Sequence, residues 1–282
     1  MSGQARASIV VIGDEILDGF VRESNAGWLA GRLYTLGIPL DRISVVPDEE
    51  AAIAEALTAE LTRGGPRVVF TSGGIGTTPD DRTMASVAAF LQVDLVTDPA
   101  LDAMVGRIIT RLEDEGRAVD DLQRSALTKL ARVPHGARPI LETGPPSAHI
   151  DLDGGPAGGG VGIVVLPGVP EQFRSLVRHL ESSLLAGLGT PGHTEQLTHP
   201  YPESLLTPLL EELERRRPDV RIGSYPGADC VLRVHGPRDA VVEVVAELRS
   251  AIAALDDDPA MEGLAEQWRA GWRELDVGPA GD

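Results

Sequence analysis

Carboxylates recur where apolar runs end. Gly13-Asp14-Glu15 closes the run over residues 8–13, Asp48 follows residues 43–46, and Asp80-Asp81 follow Thr71-Ser72-Gly73-Gly74-Ile75-Gly76-Thr77-Thr78-Pro79. In the last of these, glycines and hydroxyls lie between an apolar run and a helix-like pattern (Met84, Val87, Ala88, Leu91). Glycines let backbone N–H groups turn toward an anion, and a helix N-terminus adds partial positive charge, so this stretch is suited to holding phosphate. A loop built only for an anion should not carry Asp80 and Asp81, which points to a cation or to proton chemistry. If Glu15, Asp48 and Asp81 converge, each pair at ~5 Å repels by about 3 kcal/mol at an effective dielectric near 20. A divalent cation bridging carboxylates and phosphate oxygens answers that repulsion, as does a raised pKa or splaying into solvent. Plainer roles stand beside the chemical ones. Asp48 can be a helix N-cap, Asp80 and Asp81 helix-start charges, and Glu15 a solvated turn residue.

Those acids need elements to place them. Residues 8–13 read as a buried parallel strand, followed by a helix from Ser24 or Asn25 with Trp28, Leu29, Leu33 and Leu36 on one face and Gly37 as its stop. A second strand over 43–46, a helix carrying Ile53, Leu57 and Leu61 inward, and a third strand over 68–71 complete a β-α-β-α-β-α order. That order predicts an α/β domain, a parallel sheet with helices on both faces, whose ligand lies beyond the carboxyl ends of the strands. Residues 99–132 read as helical, 147–152 and 161–166 as two strands joined by a flexible glycine-rich connection, and 170–185 as a helix. A break at 187–192 precedes a β-α-β-β-α pattern (strand 194–199, helix 203–216, strands 219–224 and 229–235, helix 238–255). The expected domains are therefore 1–188, a small α+β module over 189–255, and an acidic tail over 256–282. In the tail, Leu264, Trp268, Trp272 and Leu275 recur at helical spacing, as a helix that docks on the body or on another chain would show.

With 42% hydrophobic and 24% charged residues the 282-residue chain reads as soluble and globular. A net charge of −18 argues against nucleic acid or anionic membrane as a partner. No apolar run approaches the ~18–20 residues that span a bilayer, and residues 1–8 lack the apolar core of a signal peptide, so a cytoplasmic protein is expected. Cys230 is alone and reads as a core residue. The six histidines show no ligand spacing. Ser72 lacks a nucleophile elbow, and the phosphate loop lacks the G-K-[ST] ending of a Walker A motif.

The same residues resemble the molybdopterin-binding fold family. Ser72-Gly73-Gly74-Ile75-Gly76 followed by Asp81 is similar to its [ST]-G-G-x-G…D signature, and Val45-Val46-Pro47-Asp48-Glu49 to its V-P-D element. Gly13-Asp14-Glu15-Ile16-Leu17-Asp18-Gly19, Ser24-Asn25, Lys129-Leu130-Ala131-Arg132-Val133-Pro134 and Leu166-Pro167-Gly168-Val169-Pro170-Glu171 resemble the CinA-type branch and the related domain of eukaryotic FAD synthase. The strong motifs cover about residues 7–185, with a weaker likeness through Gly223-Ser224-Tyr225-Pro226. Two stretches depart from the branch: Gly76-Thr77-Thr78 stands where G-P-T is usual, and residues 142–146 do not match its N-x-x-G-x-A-P-G stretch. The chain also ends before a nicotinamide-nucleotide deamidase domain would begin, so that activity is not expected. The resemblance implies a homo-oligomer that binds a nucleotide or pterin phosphate with a divalent metal (Mg, Mn or Co). It implies metal-dependent hydrolysis of ADP-ribose- or FAD-like pyrophosphates, or alternatively adenylyl transfer to molybdopterin; binding without catalysis is the third reading. Asp81, Glu15 and Asp48 are the expected catalytic and metal-holding residues, and Ser72, Gly73, Gly74, Gly76 and Thr78 the phosphate cradle. Asp14, Asn25, Asp80, Lys129 and Gly168 are further candidates.

Overall fold

The computed structural model describes residues 4–141, 147–152 and 162–274, in two compact units, Met1–Pro191 and Gly192–Asp282. The unmatched stretch 142–146 and the glycine-rich connection 154–160 lie outside the described residues.

In the first unit, β1 (Arg6–Ile12) leads through a single turn, α1 (Asp14–Leu17), to α2 (Asn25–Thr35). Then follow β2 (Leu40–Val46), α3 (Glu50–Leu61), β3 (Arg67–Ser72) and α4 (Thr83–Leu91). The chain continues through β4 (Leu95–Thr97), α5 (Pro99–Asp114), α6 (Asp121–Thr128), β5 (Arg132–Pro134) and β6 (Arg138–Ile140). It closes with β7 (Ser147–Asp151), β8 (Gly162–Leu166) and α7 (Pro170–Ser183). Six strands form one sheet in the order β2-β1-β3-β8-β7-β6. The first four are mutually parallel, and β7 and β6 extend the sheet antiparallel.

Alternation along the strands divides the core into two layers. Ile9, Val11, Phe70 and Val164 pack against Leu29 and Leu33 of α2 and Phe173 and Leu176 of α7. Val10, Ile12, Val69 and Val165 face Ile53 and Leu57 of α3, Val87 of α4 and Leu101 of α5. Leu29 and Leu33, four residues apart, are fully buried, each stabilising by roughly 1.5–3 kcal/mol. Gly37, with φ +69, ends that turn where its sequence position implies.

The region read as helical over 99–132 holds two α-helices. Asp98 accepts from Ala100 N (2.9 Å) and Leu101 N (3.1 Å) to cap α5, and Asp120 accepts from Gln123 N (2.7 Å) to cap α6. Between them Gly116 takes φ +79. The three-residue strands β4, β5 and β6 have too little periodicity to be read from the chain.

The second unit follows the expected order: β9 (His193–His199), α8 (Thr207–Arg216), β10 (Arg221–Tyr225), β11 (Cys230–Gly236) and α9 (Arg238–Asp256). Its sheet is antiparallel in the order β10-β11-β9, and Cys230 is fully buried in it. A final helix, α10 (Leu264–Glu274), lies on the β10–β11 turn of its own unit, with Trp268 Nε1 donating to the Gly227 carbonyl (2.9 Å) and Arg269 paired with Asp229 (2.7 Å).

At the amino ends of β1–β3 lies a buried ionic cluster. Arg67, 3% exposed, reaches Asp41 (2.6 Å) and the Ser8 hydroxyl (3.0 Å), and Ser8 donates to Glu60 (2.5 Å), itself 1% exposed. Arg6 pairs with Asp41 from the surface. Hydrogen bonding to Arg6 first, then to Arg67, holds the Asp41 carboxyl well below its ordinary 3.8, against the opposing effect of burial. A depressed carboxylate stabilises the fold above the unfolded pKa and loses that contribution as pH falls through the folded one. Asp41→Asn is therefore expected to cost about 3 kcal/mol in urea unfolding at neutral pH. The gap should stay level down to about pH 5 and narrow only below about pH 4.

Candidate functional site

Strand order fixes where the site lies. From β1 the chain turns to α2 on one face of the sheet, and from β3 it turns to α4 on the other, while β1 and β3 are neighbours. Their carboxyl ends thus diverge and leave a crevice, the place where open α/β sheets bind ligands.

The β3 loop is tightly specified. Gly73 has φ +112, and a Cβ there would collide with the Ile12 carbonyl oxygen; Gly74 has φ +64, and its Cβ would collide with Thr83 Oγ1. Only glycine fits either position. Thr83, the first residue of α4, pins the loop by donating its hydroxyl to Gly73 O (2.9 Å) and its N–H to Gly74 O (2.9 Å). Gly73 donates its own N–H to Leu166 O (3.1 Å), and Thr78 donates N–H (2.7 Å) and hydroxyl (2.5 Å) to Asp81 Oδ2. Between these two anchors, the N–H groups of Gly74, Ile75, Gly76 and Thr77 have no acceptor among the described residues. Four successive free donors at a strand end, just before a helix, are groups from which an anion can accept hydrogen bonds. Gly73 shapes this cradle without donating to it, and Thr78 closes it.

Asp81 is thereby tied to the loop itself. Its Oδ2 holds Thr78, while Oδ1 accepts no hydrogen bond among the described residues. Gly76 leaves room for that carboxylate, since a Cβ there would lie 2.6 Å from Asp81 Oδ2. Asp48 is not a cap. Glu49 occupies the N-cap position of α3 without a side-chain bond, and Asp48 Oδ2 instead accepts the Asp14 N–H, joining the carboxyl ends of β2 and β1 (3.0 Å). Burial first, then the like charges of Asp14, Glu15 and Asp80, raise the Asp48 pKa. Asp80 is fully exposed and shifts the opposite way, its carboxyl lowered mainly by the nearby Thr78 side chain and then by its own N–H. Glu15 is exposed in α1. The expected three-acid convergence is not formed: among the described residues no three His, Cys, Asp or Glu side chains are grouped to hold a metal ion. Asp48, Asp14, Glu15 and Asp80 share one electrostatic neighbourhood, and Asp81 is turned to its own loop.

Asn25, at the start of α2 and 5% exposed, ties the walls together by donating Nδ2 to Ser72 Oγ (3.0 Å) and Gly168 O (2.8 Å). Gly168 sits against Gly73, its hypothetical Cβ 3.4 Å from the Gly73 Cα. A cavity of ≈ 70 Å³ adjoins this junction, lined among others by Glu15, Val21, Arg22, Asn25, Ser72 and Gly168. Arg22 and Glu23 carry no motif that marks them as a wall, and their place here follows only from the turn after α1. Lys129 stands apart, exposed in the turn after α6 that packs with α5 and α6.

The first unit is a doubly wound α/β sheet with a glycine-built loop and free N–H groups at its switch point. A family described as the probable molybdopterin binding domain matches residues 8–186. The chain belongs to that family. It is 36% identical over 217 residues to a CinA-like protein of a Mycobacterium species, covering 75% of this chain and 50% of that relative. A protein of Thermococcus kodakarensis is 34% identical over 224 residues, covering 78% of this chain and 85% of its own. The crystal structure of CinA from Thermoplasma acidophilum, described as of unknown function, is similar with TM-score 0.53 and 30% identity, covering 65% of this chain and 99% of that one. The chain thus spans about half the length of the mycobacterial relative. Among the described residues no helix is long and apolar enough to cross a membrane.

Gly73→Ala is expected to cost more than about 2 kcal/mol, because it adds both a positive-φ strain and a backbone collision. Urea unfolding checks this, and a loss within about 0.5 kcal/mol would mean that the β1–β3 junction relaxes freely.

Proposed function

We propose that this chain is a cytoplasmic enzyme that binds the pyrophosphate of a nucleotide at the β1–β3 crevice and, with a divalent cation, hydrolyses it. The observation that carries the reading is the run of four free N–H groups from Gly74 to Thr77 beside a cluster of carboxylates. Phosphate oxygens would accept from those N–H groups, with Ser72 and Thr78 fixing the two ends of the loop.

The acids fit a hard cation. All donors are oxygens, and the burial and like charge acting on Asp48 are the field that a cation would relieve. Magnesium is typically held by one or two carboxylates together with substrate phosphates and water, so no closed three-acid cage is required. Asp48 and Glu15 would hold it, with Asp14 and Asp80 nearby, and the cation would supply charge neutralisation on the phosphoryl oxygens. Asp81 would place the cradle and offer its free Oδ1 to the ligand or to the attacking water. In hydrolysis the water oxygen forms a bond to phosphorus, the bridging P–O bond breaks, and a carboxylate of this cluster takes the water proton. ADP-ribose would yield AMP and ribose 5-phosphate; FAD would yield AMP and FMN.

Membership of a molybdopterin-binding family favours a second reading, in which the same cradle binds molybdopterin and supports adenylyl transfer. The purified protein incubated with ADP-ribose, FAD, or molybdopterin plus ATP, each with Mg²⁺, Mn²⁺ or Co²⁺, separates the two. The expected result is metal-dependent AMP release from ADP-ribose or FAD, lowered at least ~100-fold in kcat/KM by Asp48→Ala and by Asp81→Ala. Turnover of molybdopterin alone would move the chain to the second reading. Binding without any turnover, unchanged in both variants, would contradict hydrolysis and transfer alike.

A further inference from the structure

The two edges of the six-stranded sheet are not alike. The β6 edge is three residues long and carries Pro139, which has no N–H to offer a further strand. The β2 edge runs seven residues, and the stretch 43–46 holds neither proline nor charge. Gly13 N donates to Val46 O (3.2 Å), so Val46 and, by alternation, Ser44 turn their peptide groups toward β1. Ile43 and Val45 therefore turn theirs outward, and neither has a backbone partner on that side among the described residues. Their side chains lie beside Ile9 and Val11 on the α2 face of the sheet. Ile9 and Val11 are buried, yet Ile43 is 44% exposed and Val45 37%. Free peptide groups and bare β-branched side chains at the same two positions are what an additional strand covers.

We infer that a second copy of the chain closes this edge, β2 against β2 about a two-fold axis at Ser44. Identical strands that pair across a two-fold axis run antiparallel, and each contact occurs twice. An axis at Ser44 sets Ile43 opposite the partner's Val45 and Val45 opposite the partner's Ile43. These residues carry the outward peptide groups, so both pairs exchange N–H···O bonds, and Ser44 faces its own copy at the non-hydrogen-bonded position between them. The apolar side chains then meet on the α2 face. An axis at Ile43 would instead set Val45 against the partner's Asp41, and one at Val45 would set Ile43 against the partner's Pro47, which has no N–H. Charge agrees with the Ser44 register. Arg42, 47% exposed and 3.3 Å from Glu60, comes opposite the partner's Val46, two residues before the partner's Asp48. In each copy Asp48 is surrounded by Asp14, Glu15 and Asp80 with no cation acting on it, so a guanidinium from the other copy approaches the acid cluster that lacks one.

Light scattering and oxidative cross-linking of the purified full chain test this, and neither needs a ligand, so the outcome is independent of the proposed function. The parent should contain an even number of 29.8 kDa chains. Val45→Lys sets a charge against the partner's Ile43 and should raise the dissociation constant of the pair at least ~tenfold. In mild oxidant Ser44→Cys should link to itself, because Cα atoms directly opposed at such a position lie about 4.5 Å apart, within disulfide range. Ile43→Cys and Val45→Cys should each link to themselves far more slowly, and the two mixed should link to each other. Cys230 is fully buried, so the parent should give no cross-link. The cysteine variants keep the test decisive even where a lysine at the edge impairs folding. A parent that is monomeric, or that holds an odd number of chains, would overturn the inference. So would an oligomer that Val45→Lys leaves intact, or a Ser44→Cys chain that stays unlinked.

Discussion

The contact between Gly73 and the Ile12 carbonyl governs the carboxyl end of this sheet. With φ +112 and no room for a Cβ, Gly73 lets β3 turn away directly against the end of β1. That turn sends the next residues over the crevice with their N–H groups free, while Thr83 and Leu166 hold the loop from either side. Asn25 extends the same junction to Ser72 and Gly168. Three loops distant in sequence thereby meet through one close backbone approach and one buried amide.

Electrostatics then assigns different work to similar residues. At the amino ends of the strands, Asp41 and Glu60 are matched by Arg67, Arg6 and Arg42, and the cluster is closed and structural. At the carboxyl ends, Asp48 is surrounded by Asp14, Glu15 and Asp80, with no compensating cation among the causes acting on it. In a chain that carries 43 acidic against 25 basic residues, an uncompensated cluster could be mere composition. Its position beside four unsatisfied N–H groups distinguishes it, because anion-seeking donors and cation-seeking acids side by side match a metal–phosphate ligand.

Much of this is legible in the chain. Apolar runs ending in glycine locate β1 and β3, and helical spacing places Leu29, Leu33, Ile53 and Leu57 in the core, where they are buried. The order of the small C-terminal module also follows from periodicity. What cannot be read depends on partners distant in sequence. Asp48 resembles a helix cap because a cap is a local pattern, whereas its bond to the Asp14 N–H needs β1 and β2 to be paired. Asp81 has the type and place of a metal ligand, and its grip on Thr78 depends on the path of the loop. Gly73 sits where a phosphate donor is expected, but its N–H is taken by β8, nearly a hundred positions later.

The proposed function places a phosphate-bearing ligand in the β1–β3 crevice, on the N–H groups at residues 74–77. Amide chemical-shift mapping during titration with ADP-ribose and Mg²⁺ tests it most directly. The largest shifts are expected at Gly74, Ile75, Gly76 and Thr77, with smaller ones at Gly13, Asp14, Asp48 and Gly168. Shifts confined to residues 192–274, or spread evenly with residues 74–77 unmoved, would contradict it.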